Sequence, residues 1–134
     1  MSSVVVDTHA IVWYITKPDR LSVSASTALE QVTQAGEFVY LSTISLIEIA
    51  FLIDKGRLTE TVWERLLKAL DDTETGVVVM PVDRCIANVL RQIDRTVVPE
   101  MPDRIIAATA QMLELPLITR DRYIQNLSSI KTIW

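Results

Sequence analysis

Short apolar runs recur along the chain with helix-length segments between them, and this alternation limits the fold more than any other feature. Ser3–Val6, Phe38–Leu41, Val77–Met80, Pro116–Thr119 and Ile130–Trp134 are four or five residues long and rich in β-branched or aliphatic side chains. That is the length and composition of strands buried on both faces. Helical patterns fill Thr8–Ile15, Ser22–Ala35, Ser42–Asp54, a segment capped by Thr59 and running to about Leu70, a segment from Asp83 to Arg91, and Asp103–Leu113, with a short helix starting at Asp121. Gly36 and Gly56 stop two of them, while Lys17–Asp19, Asp71–Gly76 and the stretch holding Pro99 and Pro102 break the chain. Strands alternating with crossover helices pair in parallel. The expected fold is α/β, a three-layer α/β/α sandwich around a mostly parallel sheet of four to five strands. Its length suits a single domain over residues 1–134.

Charge and hydropathy narrow the function classes. A net charge of −4 means that overall charge cannot draw the chain to a phosphate backbone, so a nucleic-acid substrate would need local cations. Apolar residues at 49% exceed what so small a domain easily hides, which points to a partner surface and to oligomerisation. The most apolar stretch, Ile44–Ile53, is interrupted by Ser45 and Glu48 and falls short of the roughly 20 residues of a membrane span. With neither a membrane span nor a signal-peptide start, a cytoplasmic protein without membrane association is expected. The single Cys85 forms no internal disulfide, fits a reducing compartment, and is expected in or near the core.

The chemistry rests on carboxylates. Ligands of open α/β sheets collect beyond the carboxyl ends of the strands, and Asp7 and Asp121 each follow a predicted strand. Asp103 starts a helix after the proline-containing connection, which places it on the same edge. Glu48 has Ile44, Ser45, Phe51 and Leu52 at helical spacing, so an unpaired charge there is costly and requires a cation, a hydrogen-bond network or a raised pKa. Each aspartate alone suits a helix cap, and Ser45–Glu48 alone fits a capping box. Ser42 and Thr43 are earlier cap candidates, which puts Glu48 inside its helix. Four such carboxylates, with no cationic side chain expected among them, would repel one another. One or two Mg²⁺ or Mn²⁺ ions, which prefer oxygen ligands, resolve that repulsion and activate water against a phosphodiester.

At these residues the chain resembles the PIN-domain ribonucleases, especially the VapC-type toxins of bacterial toxin–antitoxin pairs. The matching pieces are Val4-Val-Val-Asp-Thr-His9, Ser42-Thr-Ile-Ser-Leu-Ile-Glu-Ile49, Asp103-Arg-Ile-Ile-Ala-Ala-Thr-Ala110 and Leu117-Ile-Thr-Arg-Asp121, in the family's order and approximate spacing. The resemblance implies that Asp7, Glu48, Asp103 and Asp121 hold the metal, with Thr119 adding a hydroxyl nearby. It also implies endonucleolytic cleavage of RNA, a homodimer, and inhibition by a cognate antitoxin protein. Many relatives carry Asp-Pro three and two residues before the third acidic position, where this chain has Glu100-Met101, with Pro102 directly before Asp103.

Two other readings compete. An aspartate-nucleophile phosphoryl-transfer enzyme of similar architecture would usually place a second Asp two residues after the first, where this chain has His9. A catalytically inactive protein-binding module would account for the acidic pI and apolar surface. His9 has no zinc-site spacing and is expected to be structural or to support other residues. Arg104, Arg120 and Arg122 flank the proposed ligands as candidate RNA contacts or salt-bridge partners. Trp13, Tyr14, Trp63, Tyr123 and Trp134 are too dispersed to form a stacking platform and are expected in the core or at an interface.

Overall fold

The computed structural model describes residues 2–134. Its strands are β1 (Val4–Val6), β2 (Val39–Ser42), β3 (Val77–Met80), β4 (Leu117–Ile118) and β5 (Thr132–Ile133). Its helices are α1 (Thr8–Thr16), α2 (Val23–Gln34), α3 (Thr43–Asp54), α4 (Glu60–Asp71), α5 (Arg84–Leu90), α6 (Met101–Leu113) and α7 (Arg122–Gln125). All the strand pairs are parallel, in the order β3-β2-β1-β4-β5, with Val5 opposite both Tyr40 and Leu117. The expected sandwich is therefore present, with five strands. The chain builds outward from β1 to β3, then returns across β1 to lay down β4, so the strand order reverses between β1 and β4.

Alternation along β1 sets the layers. Val4 and Val6 pack with Ile11, Leu29 and Leu66 from α1, α2 and α4, whereas Val5 packs with Ile86 and Ile106 from α5 and α6. Burial of β1 on both faces explains its unbroken valine run. Gly76 is required for two reasons: its φ is +72°, and a Cβ there would meet the Glu37 carbonyl oxygen at 2.9 Å, in the turn where Val39 N–H donates to the Gly76 carbonyl.

Several details differ from expectation. Helix α6 starts at Met101, because Pro102 is tolerated in a first turn whose N–H groups have no intrahelical partner, so Asp103 lies inside that turn and not at its boundary. Thr59 precedes α4 without a side-chain cap bond, while Asp83 accepts from Ile86 N at 3.0 Å as a cap should. Cys85 is exposed because the inward positions of α5 belong to Ile86 and Val89. Among the described residues, no helix is long and apolar enough to cross a membrane.

Candidate active site

The end of β1 and the end of β4 meet where the strand order reverses. Asp7 leaves β1 as the cap of α1: its Oδ1 accepts from Ala10 N at 2.8 Å, and its Oδ2 accepts from the Thr119 hydroxyl at the end of β4. The same Thr119 oxygen accepts from Asp121 N at 3.0 Å, and Asp121 in turn caps α7 through a 2.9 Å bond from Ile124 N. The cap role does not exclude a site role for these two aspartates: one oxygen serves the helix while the residue lines the cavity at the strand edge. Gln125 Nε2 donates to the Thr119 carbonyl at 3.1 Å and closes the corner.

Glu48 reaches the same edge from α3. Ser42 is the cap of that helix, its side chain accepting from Ile44 N at 3.2 Å, so Glu48 sits mid-helix. The apolar surroundings expected for it are only partial, because Phe51, at helical spacing from it, is 51% exposed. Its carboxylate is held by the Thr8 hydroxyl, which donates to Oε1 at 2.6 Å and lies 2.9 Å from the buried Ser45 hydroxyl. In the sequence Ser45 stands out only as half of a capping box with Glu48, and Thr8 only as the start of a helix. Their only signal is hydroxyl residues next to proposed ligands, a pattern that caps and helix starts share.

One cavity of about 570 Å³ gathers Asp7, Glu48, Asp103 and Asp121. Glu100, His9, Arg57 and Arg120 also line it. Glu100 caps α6 through its backbone, so an acidic side chain stands where relatives have the Asp of Asp-Pro. Arg57 and Arg120 correct the premise that no cations stand near the quartet; Arg57 follows the Gly56 that ends α3, a position that signalled only a turn. Arg120 lies 4.9 Å from the Trp13 ring centroid. Trp13 also packs against His9 and Trp134, each at 5.9 Å between centroids, so these aromatics are less dispersed than expected. Arg104 does not line the cavity. It donates to the Val98 and Pro99 carbonyls at 3.1 and 2.9 Å and fastens the connection into α6. Arg122 lies on α7, outside the cavity lining.

Two groups of the cavity have displaced pKa values. Burial is the main force raising the Asp7 pKa, opposed by the Thr119 and Ala10 hydrogen bonds and the nearby His9. Asp103 is pushed up from 3.8 to about 7, first by burial and then by the charges of Asp121, Glu48, Asp7 and Glu100. Five carboxylates face two guanidiniums in this cavity. In charge and donor chemistry this set fits a hard divalent cation. Among the described residues, however, no three His, Cys, Asp or Glu side chains are drawn into a ready-made ligand cage.

These features define a class of parallel α/β domains with an acidic cleft at the point where the strand order reverses. The chain belongs to the PIN domain family, whose model matches residues 4–129. It is similar to Ribonuclease VapC22 of Mycobacterium tuberculosis, with 26% identity over 126 residues covering 94% of this chain and 92% of that protein. Its fold matches a chain in the crystal structure of VapBC2 from Rickettsia felis bound to a promoter DNA fragment, with a TM-score of 0.72 at 16% identity over 97% of this chain and 96% of that one. A chain of DNA-bound VapBC from Salmonella typhimurium gives 0.67 at 18% identity, covering 98% and 97%.

Proposed function

We propose that the chain is a Mg²⁺- or Mn²⁺-dependent endoribonuclease, the toxin of a toxin–antitoxin pair, acting in the cytoplasm as a homodimer and restrained by a cognate antitoxin. The supporting observation is the convergence of Asp7, Glu48, Asp103 and Asp121 on one cavity from four separate stretches of a PIN-domain chain. The similarity to a named ribonuclease supports RNA as substrate, and the likeness to toxin–antitoxin complexes supports the antitoxin partner.

Asp7, Glu48, Asp103 and Asp121 would hold the cation, which supplies charge neutralisation and Lewis acidity at the phosphodiester. Asp7 is fixed in advance by Thr119 and the first turn of α1, and Glu48 by Thr8. The Thr119 hydroxyl orients Asp7 and, through Asp121 N, the start of α7, so one side chain positions two of the four carboxylates. The same bonds disfavour Asp7 as a covalent nucleophile: it is 6% exposed, with each oxygen already accepting a hydrogen bond. Water is the nucleophile on this account.

The test is incubation of structured and single-stranded RNAs with Mg²⁺ or Mn²⁺, comparing the parent with Asp7→Asn and Asp103→Asn. Internal cleavage by the parent that both variants lose is the expected result. Equal cleavage by all three would reject the assignment.

A further inference from the structure

An acidic cleft repels the polyanion it is proposed to cut, and the attraction has to come from elsewhere on a chain of net charge −4. A second cavity, of about 430 Å³, opens between α1 and α4. Lys17, Arg20, Arg57 and Arg65 line it, and no carboxylate does. Four of the chain's 13 Lys and Arg residues thus face one hollow.

This hollow adjoins the acidic cavity. Arg57 lines both. Trp13 lines the basic cavity, while Arg120, stacked over the Trp13 ring, lines the acidic one. The boundary is therefore the Arg57 guanidinium and the Trp13 ring under Arg120, which places cations on both sides of it. Thr16 adds a hydroxyl to the basic wall.

We propose that the α1–α4 cavity carries the phosphate backbone of the RNA strand next to the bond that is cut, with Lys17, Arg20, Arg57 and Arg65 as its phosphate contacts. This rests on the ribonuclease reading and adds the direction in which substrate leaves the cleft. Phosphates recur once per nucleotide, so a strand centred on the acidic cavity extends further charges past Arg57 into a hollow whose only charged lining residues are cations. Contacts to phosphate alone make recognition here tolerant of sequence.

The test measures binding of the full chain to two labelled single-stranded RNAs of about 12 nucleotides, different in sequence, across a salt series without divalent cations. RNA cleavage with Mn²⁺ is assayed in parallel. Four phosphate contacts predict a log–log salt slope near roughly −2.8, and Arg20→Gln/Arg65→Gln should remove about 1.4 of it for both sequences alike. Arg91→Gln, an exposed change after α5, should leave the slope unaltered. An unchanged slope in the double variant overturns the channel and leaves the ribonuclease standing. So does a parent that cleaves RNA yet does not bind it without cations. A double variant that loses affinity for a polyglutamate peptide but not for RNA gives the cavity to an acidic protein partner and also overturns the proposal. A parent that neither binds nor cleaves RNA defeats the ribonuclease reading itself, and the channel with it.

Discussion

The two sides of the acidic cavity are built on opposite terms. At the corner where β1 meets α1, Asp7 is buried, yet both its oxygens are hydrogen-bonded and its neighbours partly offset the cost of burial. At the start of α6, Asp103 gains only what a first-turn acid draws from the helix dipole, while burial and four other carboxylates push its pKa to about 7. One side is organised by the fold before anything binds. The other stores repulsion that a bound cation would relieve, as expected where function and stability conflict.

Asp7→Asn gives the largest expected effect. The amide oxygen can still accept from Ala10 N and the amide nitrogen can donate to Thr119, so the fold survives while the charge proposed to hold the cation is lost. Cleavage should fall on the order of 100-fold or more, at least the upper range for residues that only support a metal site. Asp7→Ala should in addition destabilise the chain by about 1–3 kcal/mol, since it removes a cap and leaves buried donors unpaired. Unfolding midpoints and single-turnover cleavage rates separate the two variants.

The opposite sign is expected across the cavity. Asp103→Asn should also lose cleavage, yet it should stabilise the cation-free protein. A pKa displaced from 3.8 to about 7 in a half-exposed group, discounted for solvent screening, leaves about 1–2 kcal/mol, or roughly 4–8 °C in thermal midpoint. A destabilised Asp103→Asn would show that both sides are built alike.

This asymmetry also explains what was legible in the sequence. Strand and helix order could be read because Val4–Val6 and Val77–Met80 are nearly unmixed apolar runs, and the aspartates follow such runs directly. The start of α6 could not, because Pro102 reads equally as a break before a helix and as a residue of its first turn. Arg57 sits beside a turn signal, where a charged residue is ordinary, and Glu100 stands out in the sequence only as a departure from the Asp-Pro of many relatives. Their meeting with Asp103 is set by sheet topology, not by local spacing. Thr119 was identified only by resemblance; its double role as donor to Asp7 and acceptor from Asp121 is a property of the β4 end in three dimensions.

Thr119→Val tests whether the corner's order matters to function. Valine keeps the shape and removes a buried hydroxyl that serves two partners, leaving Asp121 N without its acceptor. About a tenfold loss of cleavage is expected, restored by Thr119→Ser, whose hydroxyl can make both bonds. Rescue by serine separates the hydroxyl's function from packing; equal loss in both variants would assign Thr119 to the core alone.

The smallest effect is a pH dependence of the cation-free protein. Asp103 has a folded pKa of about 7 against 3.8 as its ordinary value. Below about pH 4 it is protonated in both states and costs nothing. Between about 4 and 7 the folded chain holds a proton that the unfolded chain has released, so stability falls as pH rises. Above about 7 both states are ionised and the full penalty persists. Asp7, also raised, acts in the same direction. The lowered pKa of Asp94 acts at the acid end, below its ordinary value of 3.8, and does not touch this window. The thermal midpoint in EDTA should therefore drop by a few degrees from about pH 5 to about pH 8, and the drop should shrink, without vanishing, in Asp103→Asn. Asp7→Asn and Asp103→Asn together should flatten the profile further than Asp103→Asn alone, because both raised groups act in the same direction. A parent midpoint that rises across that interval would show that the α6 side is not the strained half of the cavity.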